Sequence, residues 1–118
     1  MGEFYEELVS KSLELASKRA EQGLLDESEA LCRQILKVDG GNPAAMCLLS
    51  CVLRLSGKAE ESKELYASVM KAAEDSAEIM NIMGISCLHV RDVKTAMEHF
   101  LEAFKISGKE DPAFNMAS

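Results

Sequence analysis

The chain has 118 residues, 47% of them hydrophobic, which is enough for one domain with a single continuous core. Its 20 acidic and 13 basic residues give a net charge of −7 and form no basic stripe, so nucleic acid is not an expected partner. The N-terminus is acidic where a secretory signal would be basic and then apolar, and no apolar stretch reaches membrane-spanning length. These features predict a soluble, cytoplasmic protein with no membrane partner.

The elements predicted in chain order are alternating helices, because no segment shows the period-two alternation of a half-buried strand. Glycine recurs at Gly23 and Gly57, and Arg91 falls one equal interval later, where Arg91 and Asp92 are expected to form a third tight turn. Small, large and charged side chains keep the same interval: Ala16, Ser50 and Gly84; Cys32, Tyr66 and Phe100; Lys37, Lys71 and Lys105. A fixed interval of this length predicts a stacked array of helix-turn-helix units.

Helix starts are predicted between these turns. Asn42 and Asp111 are each followed by proline, which suits a cap and the first helical position, and Asp75 with Glu78 resembles a capping box. Each unit is predicted to contain two helices of about fourteen residues. The predicted boundaries are about 9–42, 43–76 and 77–110, with a partial unit at 111–118. The expected fold is therefore a single all-α solenoid domain over 1–118.

This arrangement resembles the tetratricopeptide repeat family. The third unit carries the resemblance best, since Gly84, Ala96, Phe100 and Ala103 match the family's small, small, aromatic and small positions. The tryptophan common early in the first helix is absent, and the proline that closes a unit is displaced. The resemblance covers 9–118 and implies a right-handed superhelix of three units plus a truncated fourth first helix. It also implies that the first helix of each unit lines a concave groove.

The groove implied by the resemblance is dominated by aliphatic and thiol side chains. Its residues are Leu13, Ser17, Cys47, Leu48, Cys51, Arg54, Leu55, Asn81, Ile82, Ile85, Leu88 and His89. One branch of the family grips acidic C-terminal peptides with a lysine, arginine and asparagine clamp, and that clamp is missing here. We therefore expect a protein or peptide partner with an apolar or amphipathic segment. The alternative is that tight curvature or an added helix buries these residues within the chain or a dimer.

Four cysteines, Cys32, Cys47, Cys51 and Cys87, occur without a Cys-x-x-Cys pair or secretory context, so we expect reduced thiols packed as small apolar residues. Cys47 and Cys51 share a helical face at i, i+4, which leaves open a redox or soft-metal site. His89 is the nearest third ligand by repeat geometry. We expect neither a metal nor a cofactor.

No nucleophile elbow, metalloprotease motif or phosphate loop is present, so the chain is not expected to be an enzyme. Glu98, His99 and Glu102 cluster on one helical stretch and are interpreted as a solvated face, with partial packing left open for His99 because it occupies the repeat position of Leu31 and Leu65. The predicted function is a non-catalytic interaction scaffold, part of a larger protein or assembly. The alternatives are homo-oligomerisation, through the groove or the C-terminal end, and a thiol-based regulatory sensor.

Two expectations concern the last complete helix. Phe100 and Phe104 should be buried between the second and third units. Part of the apolar side of the same helix should be exposed, because no complete capping helix follows it. The chain would then be a fragment of a longer solenoid, or its open end would pair with another copy.

Overall fold

A computed structural model describes residues 2–74 and 76–110, with side chains given from Phe4 to Gly108. These residues form six α-helices and contain no strand, so the all-α prediction is confirmed. The helices are α1 (Gly2–Glu21), α2 (Leu25–Val38), α3 (Pro43–Leu55), α4 (Ala59–Ala73), α5 (Ala77–His89) and α6 (Val93–Glu110). The partial fourth unit expected at 111–118 lies outside the described residues. In the described part, no helix combines the length and apolarity needed to cross a bilayer.

The helix boundaries repeat at the interval read from the sequence. Both ends of α5 lie one such interval after the corresponding ends of α3, and α1 ends one interval before α3 does. The starts of α2, α4 and α6 keep the same spacing. Two helices are longer than predicted: α1 has 20 residues and α6 has 18. α1 begins at Gly2, ahead of the first predicted unit.

Each first helix ends in the same left-handed turn, as predicted. Gly23 and Gly57 have φ values of +78° and +83°, and Arg91 adopts +65° at the equivalent position. The amide of the next residue donates to a carbonyl five positions back, which satisfies a helix-end acceptor. These bonds are Leu24 to Arg19 at 2.9 Å, Lys58 to Leu53 at 2.9 Å and Asp92 to Cys87 at 2.8 Å.

Polar caps set the starts of α3 and α5. Asn42 Oδ1 accepts from the Ala45 amide at 2.9 Å, and Pro43 occupies the first turn, as predicted. The cap of α5 is Ser76, whose hydroxyl oxygen accepts from the Ile79 amide at 3.2 Å. The cap predicted at Asp75 lies outside the described residues, and the observed cap is one position later.

Three-residue turns join the helices within each unit, so α1 packs on α2, α3 on α4 and α5 on α6 as antiparallel neighbours. Between units, α3 packs mainly on α2, whereas α5 packs mainly on α3 and also touches α1. This packing is consistent with an α-helical repeat. The central helix α3 is consequently enclosed on several sides, and all of its residues from 47 to 53 are buried.

Small residues stand where paired helices approach most closely. The Ser28 hydroxyl donates to the Ala16 carbonyl at 2.9 Å, and at the equivalent place in the second unit the Ser62 hydroxyl donates to the Ser50 carbonyl at 2.7 Å. In the third unit the corresponding contact is apolar, with Ala96 fully buried. The repeated small positions read from the sequence therefore mark real helix–helix contacts.

The two phenylalanines of α6 differ in burial. Phe100 is half-buried and packs against the core cluster formed by α3, α4, α5 and α6, so the predicted burial is met in part. The burial predicted for Phe104 is wrong, since 56% of its surface is exposed. Ala103 faces the core, and each residue is rotated by about 100° from the last, so Phe104 points away from that face. Val93, Met97 and Leu101 are also more than half exposed, which confirms the predicted apolar stripe on α6.

Candidate functional site

A small apolar cavity, here called the groove cavity, lies where α1, α3 and α5 converge. Its volume is about 140 Å³. The lining residues are Leu13, Ser17, Ala44, Leu48, Ile82, Ile85, Ser86 and His89. Six of these eight are among the twelve groove residues predicted from the sequence, so the fold brings together side chains from all three first helices.

The other six predicted groove residues do not line this cavity. Cys47 and Cys51 are buried in the core cluster that also contains Met83 and Cys87, which confirms the expectation of reduced thiols packed as small apolar residues and corrects their assignment to the groove surface. Neighbouring helices enclose α3 on more than its groove face, so the position of a residue around α3 does not by itself predict whether that residue is exposed. The remaining four, Arg54, Leu55, Asn81 and Leu88, are exposed beside the cavity or beyond it.

Leu48 and Ile85 have different roles in the groove cavity. Leu48 is 1% exposed and belongs to the core cluster of α1, α2 and α3, so it forms the floor. Ile85 is 48% exposed and lines the same cavity, so it stands at the rim. A ligand in the cavity would contact both, but only Ile85 can be changed without opening the core.

Polar contacts between α1 and α5 close one end of the groove cavity. The His89 ring nitrogen Nδ1 lies 2.8 Å from Glu21 Oε1, and Arg91 donates to the Glu21 carbonyl at 3.4 Å. These contacts hold the C-terminal ends of the two helices together. The predicted groove residue His89 is therefore a wall of the cavity, held by an acidic partner.

The groove cavity is sized for one side chain. A cavity of about 150 Å³ accommodates benzene, whereas an α-helix is about 10–12 Å across with its side chains. Leu13 also lines a more open neighbouring pocket, which runs past Val9 and Tyr5 on α1 and is bounded on its other side by 37–39 and Asn42. A bound segment can thus place one apolar side chain in the groove cavity and lie along α1.

A second cavity, of about 320 Å³, lies between the second and third units on the other side of α3. Its lining residues are Ser50, Cys51, Arg54, Ala59, Ser62, Lys63, Tyr66, Met83, Cys87 and Thr95. Within it the sulfur atoms of Cys51 and Cys87 are 4.0 Å apart. We call this space the thiol cavity.

His99 is held beside these thiols. Its Nδ1 lies 2.8 Å from the Thr95 carbonyl, and its Nε2 lies 3.0 Å from the Tyr66 hydroxyl. Since a carbonyl only accepts, Nδ1 carries a proton, and in the neutral ring Nε2 accepts from Tyr66. The solvated-face interpretation is correct for Glu98 and Glu102, which are exposed, whereas His99 is buried, in line with the packing that its repeat position left open.

The four thiols differ in pKa because their surroundings differ. Hydrogen bonding with Cys51, supported by His99, lowers the pKa of Cys87 below its usual value. The same contact and burial raise the pKa of Cys51. Burial is the main cause that raises the pKa of Cys32 and of Cys47 to about 12 each. Thiolate character is therefore concentrated on Cys87.

The sequence pointed to Cys47 and Cys51 as a redox or metal pair, with His89 nearby. In the structure the thiol in contact with Cys51 is that of Cys87, and the adjacent ring is that of His99. The repeat position of His99, shared with the half-buried Leu31 and Leu65, indicated its packing but not its contact with the thiols. Among the described side chains, no three His, Cys, Asp or Glu residues are grouped to hold a metal ion.

No family model matches the chain, and no curated protein matches its sequence. Function is therefore inferred from the two cavities and the surfaces around them.

Proposed function

We propose that the chain is a non-catalytic, tetratricopeptide-repeat-like scaffold that binds an apolar or amphipathic segment of a partner protein through the groove cavity. The observation that carries this proposal is the convergence of Leu13, Leu48, Ile82 and Ile85, from three different helices, on one apolar cavity. The constant spacing of helix boundaries and left-handed turns supports the repeat assignment.

The size of the groove cavity limits how much of the partner it can hold. One leucine, methionine or phenylalanine side chain of the partner fills it, while neighbouring residues contact Val9 and Tyr5 along α1. Burying such a side chain contributes about 1.5–3 kcal/mol. Loss of that anchor should therefore weaken binding by roughly ten- to a hundredfold.

The exclusion of acidic peptides rests on the same lining. No lysine or arginine is among the described residues that line the groove cavity, and the nearby imidazole of His89 is engaged by Glu21. The chain also carries a net charge of −7, which repels acidic ligands at long range. Along α1 the adjoining surface carries Glu6 and Asp39 as well as Lys37, so a partner whose anchor is flanked by more basic than acidic residues fits it best.

Selection from a displayed library of random dodecapeptides tests the proposal. We expect the selected peptides to share one large apolar residue, and Ile85→Glu to weaken their binding by at least about tenfold. Leu101→Glu is the matched control, because Leu101 is similarly exposed but lies on the outer stripe of α6. Leu48→Glu is unsuitable, since Leu48 is core. Selected peptides that bind Ile85→Glu and the parent chain equally would refute the groove assignment.

A second candidate function is self-association. It is favoured by the stripe of Val93, Met97 and Leu101, which are exposed at successive i, i+4 positions of α6. Light scattering at increasing concentration should then show a dimer that Leu101→Glu abolishes and Ile85→Glu preserves. The two variants thus separate the two functions.

A cytoplasmic location is proposed on the basis of the thiols. All four cysteines are free, and all four are buried. Cysteines packed as reduced thiols are typical of a reducing compartment. Fractionation of cells that express the chain would check this assignment.

A further inference from the structure

We infer that Cys51 and Cys87 form a redox-active pair that a hydroperoxide converts to an intramolecular disulfide joining α3 to α5. This inference goes beyond the proposed binding function and does not depend on it. It rests on the contact between the two sulfurs, the position of His99 and the opening of the thiol cavity.

The two sulfurs already face each other across the α3–α5 contact. They are 4.0 Å apart and share a hydrogen bond. A disulfide requires about 2.05 Å, so the sulfurs must approach by about a further 2 Å. The residues lie on separate helices that pack directly on each other, which makes the cross-link intramolecular.

Cys87 and Cys51 have different surroundings, which give the two thiols different roles. Both groups stabilise a thiolate on Cys87, while Asp92 and burial oppose it. Donation of a hydrogen bond to Cys87 and burial keep Cys51 protonated. Thr95 fixes the ring of His99, and Tyr66 contacts its other nitrogen. Cys87 is consequently the attacking sulfur, and Cys51 is the resolving thiol.

The thiol cavity gives a small oxidant a route to both residues. Cys51 and Cys87 line it together with Arg54 and Lys63, whose exposed side chains mark its mouth. Cys32 and Cys47 do not line this cavity. Access therefore distinguishes the pair from the other two thiols, although all four are buried.

The reaction consumes one hydroperoxide for each disulfide. The contact with Cys87 raises the pKa of His99, so the ring holds the proton that the Cys87 thiol releases. The Cys87 thiolate attacks one peroxide oxygen, the O–O bond breaks, and the alkoxide or hydroxide that leaves takes that proton from His99. Cys87 becomes a sulfenic acid, two electrons having passed to the peroxide. The Cys51 sulfur then attacks the Cys87 sulfur. The S–O bond breaks, and water leaves with the Cys51 proton.

The test is treatment of the reduced chain with hydrogen peroxide, followed by peptide mapping under non-reducing conditions. We expect one intramolecular link, between the peptides that contain Cys51 and Cys87, and its reversal by dithiothreitol. Cys51→Ser should accumulate a sulfenic acid at Cys87 that dimedone traps. Cys32→Ser is the matched control and should oxidise at the rate of the parent chain.

His99→Gln tests the positioning role of the imidazole. It should shift the pH dependence of Cys87 alkylation by iodoacetamide to higher pH and slow alkylation at pH 7 by about tenfold, because thiolate is then less populated. A link between any other pair, an intermolecular link, or recovery of unmodified Cys51 and Cys87 after peroxide treatment would overturn the inference. Because the parent chain alone gives the mapping result, the inference stays testable even if a variant fails to fold.

Discussion

The ring of Phe100 lies directly on the backbone of Gly84, so that a β-carbon at position 84 would stand 2.6 Å from Cε1 of the ring. This contact brings α5 and α6 together. In the repeat register, the equivalent positions are Ala16 and Cys32 in the first unit and Ser50 and Tyr66 in the second. The third unit thus combines the smallest residue with a full aromatic ring.

Gly84→Ala should destabilise the chain by roughly 1–3 kcal/mol, because the added methyl group overlaps the Phe100 ring. A loss of stability would be diagnostic of the contact, since alanine in a helix interior is otherwise favoured over glycine by about 0.5–1 kcal/mol. Equilibrium urea unfolding measures the change. Gly84→Ala combined with Phe100→Leu should recover part of the loss, whereas a Gly84→Ala chain as stable as the parent would disprove the contact.

Substitutions at the equivalent turn positions Gly57 and Arg91 should change the free energy of unfolding in opposite directions. Gly57→Ala should lower the free energy of unfolding by about 1 kcal/mol, because a side chain is strained at positive φ. Arg91→Gly should raise it by up to about 1 kcal/mol, because it removes the same strain. The exposed contact from Arg91 to the Glu21 carbonyl offsets little of this gain. Thermal unfolding checks both, and destabilisation of equal size by both exchanges would contradict the shared turn conformation.

The turns between helices and the start of α3 could be predicted because they depend on local chemistry, whereas the extra lengths of α1 and α6 were not predicted. Turn glycines and the Asn42 cap act within a few residues of their own positions, and the fixed repeat interval carries the same signals into each unit. Packing of Cys47 and Cys51 was expected from their residue type, but the helix period could not show that they and Leu48 are buried rather than on the groove surface. Their burial depends on how many neighbours enclose α3, and the helix period does not determine that number.

Of the candidate site, the groove cavity could be predicted from the sequence and the contact between Cys51 and Cys87 could not. The groove cavity follows from the repeat register, which brings equivalent faces of α1, α3 and α5 together. The contact of Cys51 with Cys87 depends on the rotation and offset of α5 against α3, for which the sequence provides no rule. His99 joins them from α6, at a repeat position where the other units have leucine.

Ser62→Ala should cost about 1 kcal/mol, because it removes a buried hydrogen bond of 2.7 Å to the Ser50 carbonyl. Ser68→Ala is the control, since the hydroxyl of Ser68 bonds the Glu64 carbonyl at an exposed position of the same helix. Urea unfolding of both variants provides the measurement. Equal effects would show that the bond from Ser62 does not stabilise the second unit.

Glu29 links α2 to the start of α4 and should make stability depend on pH. The hydrogen bond from Lys58, with Arg33 adding to it, holds the pKa of Glu29 below its usual value. A lowered carboxyl pKa stabilises the folded chain above the unfolded value of about 4.3, and that contribution is lost as the pH falls through the folded pKa. Glu29→Gln should therefore be less stable than the parent chain at pH 7 by up to about 1 kcal/mol, with a smaller difference below pH 3.

Glu60→Gln, at an exposed position of α4, is the control for Glu29→Gln and should change stability by less than about 0.5 kcal/mol at either pH. Chemical unfolding at the two pH values gives the comparison. A difference between the parent chain and Glu29→Gln that grows on acidification would reverse the predicted sign.

The most direct test of the proposed function is methyl NMR of the chain titrated with a peptide selected from the dodecapeptide library. We expect the largest chemical-shift changes on the methyl groups of Leu13, Leu48, Ile82 and Ile85, which line the groove cavity. Saturation should require about one peptide per chain. Changes concentrated on Met97 and Leu101, with the four groove methyl groups unaffected, would contradict the proposed function.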